Sequence, residues 1–288
     1  MWERLLIVIS EILLFLLLFP LAYLLLLAFS AIRSASKPDA GGRSPSTRFI
    51  IIIPAHNEVN VIAATVKRLQ TLDYPSHLFS IHILADHCSD DTAEVARLAG
   101  ACVHERNEGP RTGKGAALSW LFQRILVNNQ ECDAITIFDA DTLVDSNFLR
   151  VMDARLADGA QVIQGQHVIR NPNEGWYPAL TSAMFLIDNR FQNLGRSNLG
   201  WSAKNMGDSI CLRADILRQM GWGEGLTEDY HLRFQLLLRD IRIVYEPAAI
   251  GYGEAPLTWG RARAQRARWL RGTYDTSHQY AKQLLMEE

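Results

Sequence analysis

The chain has 288 residues, 48% of them hydrophobic and 21% charged, a composition that excludes a disordered polymer and allows one large α/β domain with appendages. Its formal net charge of −2 removes the electrostatic case for nucleic acid as the main partner. Cys88, Cys102, Cys132 and Cys211 are scattered, without a CxxC pair or metal-finger spacing, and read as reduced thiols without a role.

Ile12 to Phe29 is an uncharged run of eighteen residues, extended by Leu5 to Ser10 once Glu11 is tolerated. Crossing a hydrocarbon core takes about 20 apolar helical residues, so the segment qualifies as a membrane span. Pro20 sits within it, which membrane helices accept better than soluble ones. The apolar region of a signal peptide is usually only ~7–15 residues long. A retained transmembrane anchor over residues 1–32 is therefore expected. Arg33, Lys37, Arg43 and Arg48 follow the run and Arg4 alone precedes it, which directs the rest of the chain to the cytoplasmic side of the cell membrane. Residues 33–47, rich in Ser, Gly and Pro, read as a linker.

Regular patterning begins at residue 48 and defines a domain expected to run to residue 256. Phe49 to Ile53 is a continuous apolar run suited to a buried parallel strand, followed by Ile62, Val66 and Leu69 at helical spacing. Further strands are expected at Ser80–Ala85, Ala101–His104 and Ala134–Phe138, alternating with helices near Asp91–Leu98 and Lys114–Leu126. Such alternation means an α/β fold with a parallel sheet, whose ligands sit beyond the carboxyl ends of the strands. The second half is less regular. Strands are expected at Gln161–Ile169, Ser209–Arg213, Ile241–Tyr245 and around Ile250, with helices at Tyr177–Phe191 and Asp229–Leu238. Residues 257–288 are helix-compatible and mix Arg261, Arg263, Arg266, Arg268 and Arg271 with Trp259, Trp269 and Leu270, as an interfacial amphipathic helix or an ordinary solvated one would.

The polar clusters fall at strand ends. Phe138-Asp139-Ala140-Asp141 closes a strand, so its two carboxylates share a side and repel unless a cation lies between them. Hard ions such as Mg²⁺ or Mn²⁺ take such oxygen ligands together with substrate phosphates. Asn57 and Glu58, in PAHNE, can cap a helix or meet a ligand. Asp86 is read as a lone carboxylate open to a nucleobase edge, whereas Asp90 and Asp91 are read as helix caps. Lys114, in GKG, opens a helix, although the spacing is not that of a Walker loop. Thr227-Glu228-Asp229 offers either a cap through Thr227 or a catalytic carboxylate. Gln265-Arg266-Ala267-Arg268-Trp269 supplies guanidinium forks for phosphate and an indole face for a sugar ring.

In order, PAHNE, ADHCSDDT, GKG, DAD, TED and QRARW resemble the motifs of family 2 glycosyltransferases, in the branch of cellulose, chitin and poly-N-acetylglucosamine synthases. The resemblance implies a GT-A fold, a UDP-sugar donor, a glycan or lipid acceptor, a divalent ion and inversion at the anomeric carbon. It further implies that Glu58 and Asp86 contact uridine, Lys114 the base or diphosphate, and Asp139 and Asp141 the metal–diphosphate. Asp229, beside Glu228, would be the general base, and Gln265, Arg268 and Trp269 would hold diphosphate and acceptor, with Arg266 at a variable position. Asn205 to Ser209 departs from the family, since Asp208 lies where relatives usually carry a small uncharged loop. A metal-dependent nucleotidyltransferase would share the sheet and the acidic site but has no use for TED followed by QRARW. The sequence stops at Glu288 within a helical stretch, as a single-anchor enzyme or a chain cut short of further membrane helices would; Leu284 to Glu288 carries no helix-ending signal, which favours a reading frame that continues.

Overall fold

Strand β1 (Phe49–Ala55) shows why its sequence is apolar throughout. Phe49, Ile51 and Ile53 face one hydrophobic core and Ile50 and Ile52 the other, so both sides of the strand are buried. The computed structural model describes residues 2–33, 42–127, 131–223 and 227–286. Residues 34–41 of the expected linker and the last two residues of the tail lie outside them.

The N-terminal helix α1 (Trp2–Ser30) precedes β1, and α2 (Ile62–Leu69), β2 (Phe79–Asp86), α3 (Thr92–Leu98), β3 (Cys102–Arg106), α4 (Lys114–Val127) and β4 (Ala134–Ile137) follow it. The chain continues through β5 (Leu143–Val144), α5 (Phe148–Ala157), β6 (Val162–Ile169) and α6 (Trp176–Ile187). A π-helical turn, Asp188–Asn193, carries α6 directly into α7 (Leu194–Asn198). The remaining elements are β7 (Ile210–Arg213), α8 (Ala214–Met220), α9 (Glu228–Leu237), β8 (Ile243–Gly253) and α10 (Trp259–Met286).

One sheet runs in the order β3-β2-β1-β4-β7-β6-β8-β5. Its first four strands are parallel, as the βα alternation predicts. Beyond β4 the sheet turns mixed, because β7 is antiparallel to both β4 and β6, while β6 and β8 run parallel. Since β7 enters where β4 ends, with Ile137 opposite Ile210, the segment before β7 is delivered to the carboxyl rim of the parallel half. On one face α4, α8 and α9 bury Leu118, Leu121, Leu217, Leu232 and Leu236, and on the other α2 and α5 bury Val66, Leu69, Phe148 and Met152.

Three local expectations change. The two strands expected near Ile241–Tyr245 and Ile250 are one strand, β8, whose register against β6 slips between Gly165 and Gln166. Pro247, which has no N–H, lies in that bulge, and a Cβ on Gly165 would stand 2.7 Å from Ala249 O. The expected helix Tyr177–Phe191 stops being α-helical at Ile187. Thr227 precedes α9 without a side-chain capping bond, and its hydroxyl lies 3.4 Å from that of Thr276 on α10. The four cysteines are free thiols, as expected.

Helix α1 is long and apolar enough to cross a membrane, and nearly all of its large side chains are exposed. Only its base is docked. Leu27 and Ala31 are buried, Asn198 Nδ2 donates to Ser30 O at 2.9 Å and to Arg33 O at 3.1 Å, and Tyr23 stacks on Trp201. A Cβ on Gly195 would lie 2.4 Å from Leu27 O, backbone against backbone. Gly195→Ala is therefore expected to push α1 off α7 at a cost of about 1–3 kcal/mol, the usual range for overpacking. Thermal unfolding of the detergent-solubilised chain reads this as a lowered Tm; an unchanged Tm would show that the docking is loose.

Candidate active site

The carboxyl ends of β1, β2 and β4 and the segment leading into β7 form one polar rim. Asp139 follows β4, and its backbone N–H donates to Asp208 Oδ1 at 3.0 Å. Its carboxylate accepts a 2.5 Å bond from Lys114 Nζ at the start of α4. The same ammonium donates to Gly207 O at 2.7 Å and lies 3.9 Å from Glu228 Oε1. Burial alone would lower the Lys114 pKa, but Asp139 and Glu228 override it and raise it. One cation thus ties together the ends of β4, the 205–209 segment and the start of α9.

Asp208 explains why NMGDS departs from the expected small neutral loop. It is 2% exposed and accepts from His167 Nδ1 on β6 at 2.8 Å and from Ser209 Oγ at 3.2 Å. Burial works to raise its pKa, yet the His167 hydrogen bond and charge, with Lys114 behind them, hold it below the ordinary carboxylate range. His167 is correspondingly raised: burial works against its charge, but Asp208 outweighs it. This buried pair fixes the approach of β6 and β7 to Asp139.

Among the described residues, neither Asp141 nor Glu58 makes an ion pair with a lysine or arginine. Burial, followed by the charges of Asp139, Asp208 and Glu254, pushes Asp141 above the usual carboxylate range. Burial and then Asp141 do the same to Glu58. Oxygen-only donors with this mutual repulsion fit a hard divalent cation such as Mg²⁺ or Mn²⁺, which would relieve it.

Asp86 stands apart and is not the lone carboxylate expected. Arg106, opposite it on β3, donates to Asp86 Oδ1 at 2.6 Å with both side chains buried, and His87 Nδ1 lies 2.9 Å from the same oxygen. Its Oδ2 looks toward Arg111 at 3.9 Å. Asp90 does cap, accepting from Thr92 N at 3.1 Å, whereas Asp91 makes no side-chain cap.

A cavity of about 300 Å³ opens beside Lys114 and Asp139 and is bordered by Glu228 and Asp229 from α9 and by Gln265, Arg266, Arg268 and Trp269 from α10. Residues 151 positions apart in the chain, Lys114 and Gln265, therefore meet at one opening. Burial raises Asp229 and Glu228 above ordinary carboxylates; Lys114 opposes this at both, and Arg268 at Asp229. Asn205 Nδ2 donates to Asp229 O at 3.2 Å. Arg266 turns inward, with Nε 3.3 Å from Tyr177 Oη and its guanidinium over the Trp269 ring at 5.0 Å. It braces α10 on α6. Helix α10 comes this close because a Cβ on Gly272 would meet Thr227 Cγ2 at 2.4 Å. Eight of the eleven expected residues border this cavity; Glu58, Asp86 and Asp141 lie on the rim beyond it. Sequence reasoning missed Arg106, His167 and the Lys204–Asp188 ion pair at 2.9 Å on the cavity wall. A basic residue on the strand next to Asp86 was the available signal for the first; nothing local marks the others.

A parallel half with a carboxylate rim, joined to a mixed half that adds a second cavity wall, is the GT-A architecture. The chain superposes on the mannosyltransferase PcManGT from Pyrobaculum calidifontis, solved with GDP-Man and Mn²⁺, with a TM-score of 0.71 and 18% identity over 93% of this chain and 72% of that one. Residues 45–272 match the family described as Glycosyltransferase like family 2, and the chain belongs to that family. A beta-monoglucosyldiacylglycerol synthase from Trichormus variabilis is 30% identical over 236 residues, covering 78% of this chain and 48% of that protein. The cellulose synthase catalytic subunit (UDP-forming) from Pseudomonas fluorescens is 26% identical over 77% of this chain and 30% of its own length. The chain spans about half the length of the first of these relatives.

Arg106→Met would take the buried guanidinium from Asp86 and leave its charge to His87 and the half-exposed Arg111, a loss expected to cost up to about 3–5 kcal/mol. Adding Asp86→Asn should recover much of it, because the buried charge that Arg106 balanced is then gone too. Urea unfolding of the single and double variants measures both.

Proposed function

We propose that the chain transfers a hexose or N-acetylhexosamine from a UDP-sugar to a hydroxyl of a glycan or lipid acceptor, with inversion. The observation that carries this reading is the single opening where Lys114 and Asp139 face Asp229 and Gln265–Trp269. Donor-side and acceptor-side chemistry meet there.

Asp139 and Asp141, with Glu58 near them, would hold Mg²⁺ or Mn²⁺, which when bound neutralises diphosphate charge. Asp86, oriented by Arg106, would accept a hydrogen bond from the uracil through its remaining oxygen. Lys114 would exchange its bond to Asp139 for the diphosphate and so stay charged throughout. Arg268 and Gln265 would receive the charge that develops on the departing nucleotide, a stabilisation that is stronger in a site screened from water. Trp269, with the Arg266 guanidinium 5.0 Å from its ring centroid, would stack on a sugar ring. Asp229 would take the proton from the attacking hydroxyl, and its raised pKa strengthens it as a base. Attack from the side opposite the nucleotide then replaces one bond with another in a single step.

The base of α1 is pinned to α7, and Trp176, Leu180, Leu186, Ile187 and Trp259 are exposed on α6 and α10. This supports α1 as a membrane anchor with α10 lying near the lipid surface, and the basic residues Arg33, Lys37, Arg43 and Arg48 after the span favour the cytoplasmic side for the rest of the chain.

Incubation with a panel of UDP-sugars, with and without divalent ion, should release UDP from one of them; release of UMP, or no release with any donor, would sink the reading. Asp141→Asn is expected to lose most of the metal-supported UDP affinity measured by calorimetry, because an amide cannot replace the charge facing the ion. Asp229→Asn should keep UDP and metal affinity while lowering turnover roughly 10²–10⁴-fold. A base must be ionised to act, so a raised pKa moves the acid limb of the wild-type rate profile above the ~3.9 of a free aspartate. Loss of UDP binding in Asp229→Asn would make that residue structural instead.

A further inference from the structure

Away from the carboxylate rim, β2 and β3 place a second ligand set on one face of the sheet. His82 pairs with Cys102 and Leu84 with His104, so the imidazoles and the thiol project to the same side. His82 Nδ1 and His104 Nε2 are 3.0 Å apart, and Cys102 Sγ is 3.6 Å from His104 Nε2. All three donor atoms lie within 4.8 Å of one another. A tetrahedral zinc site with ordinary Zn–N and Zn–S bonds has edges of about 3.3 Å between nitrogens and about 3.5 Å between nitrogen and sulfur. The two separations that involve His104 are already near those edges, and that between His82 and Cys102 is within 4.8 Å.

The second coordination layer is also present. Ser80 Oγ lies 3.1 Å from His82 Nε2, so that nitrogen can carry its proton outward and leave the Nδ1 lone pair toward His104. His82 is buried while Cys102 reaches solvent, and an open cleft of about 320 Å³ borders both, giving an ion a way in and a free fourth position.

We infer that His82, His104 and Cys102 form a site for a borderline-soft divalent ion of the zinc type, bridging β2 to the edge strand β3. Two imidazoles and a thiolate select such an ion over Mg²⁺, whereas the all-oxygen rim does the reverse. His82 lies four residues before Asp86, about 13 Å along the strand, so the ion would not take part in sugar transfer. It would pin the β2–β3 pair whose far end carries Asp86 and Arg106. The inference is independent of the proposed activity.

Co²⁺ is the probe, titrated into the reduced full chain in detergent with Mg²⁺ in excess to occupy the rim. The wild type should develop thiolate-to-cobalt charge-transfer absorption together with tetrahedral d–d bands. Cys102→Ser should lose the charge-transfer band, and His104→Gln should weaken Zn²⁺ binding more than tenfold in chelator competition. Saturating Zn²⁺ should raise the wild-type Tm by roughly 5 °C, and Cys102→Ser should show less of this rise. Both substitutions lie at or near the surface, and matching circular dichroism spectra confirm that the variants fold. Absence of the thiolate band in the wild type, or its persistence in Cys102→Ser, would overturn the site; the second result would point to Cys88, whose Sγ lies 3.6 Å from Ala55 O.

Discussion

An acidic rim can fold only if its repulsion is offset, and at Asp139 and Glu228 a single ammonium, that of Lys114, does so. Lys114 reaches Asp139, the Gly207 carbonyl and Glu228 from the first residue of α4. These contacts join the parallel half of the sheet to the segment ahead of β7 and to α9, elements that no backbone ladder connects at this point. Asp208 and His167 form the second brace, buried where Lys114 is partly open. The two differ in consequence. The Asp208–His167 pair is sealed and fixes geometry, whereas the Lys114 contacts face a cavity and can be exchanged for a ligand's charge.

The parallel half was readable because its signals are local. An unbroken apolar run is what a strand buried on both faces requires, and β1 shows it from Phe49 to Ile53. The rim residues were readable for a related reason: Asp139 and Asp141 sit where a strand stops, and Lys114 where a helix starts. What could not be read depends on register and crossover. Arg106 neutralises Asp86 only because β3 pairs with β2 in one alignment out of several possible. Lys204 and Asp188 meet because the chain folds back across the cavity wall. The slip at Gly165 made one strand look like two, since a bulge interrupts the alternation that marks a strand.

The two metal chemistries assigned to the chain divide by donor type and by place. Oxygen donors gather at the carboxyl rim, where under the proposed activity a diphosphate would arrive and the ion would have to exchange. Nitrogen and sulfur donors gather partway along β2 and β3, where an ion would be held between strands. Sequence shows DAD plainly because both aspartates lie within three residues. It hides the other set, because Cys102 and His104 gain His82 only through strand pairing.

The π-helical turn between α6 and α7 carries a further consequence, one of angular phase. In an unbroken α-helix Gly195, seven residues after Asp188, would lie only about 20° away from it around the axis, on the cavity side. The wider winding of Asp188–Asn193 retards the phase by roughly a quarter turn or slightly more. One continuous rod can thereby present Met184, Phe185 and Asp188 to the cavity and, farther on, Gly195 and Asn198 to the base of α1. The same turn that faces the cavity with Asp188 thus also sets the angle at which α7 receives the membrane-length helix.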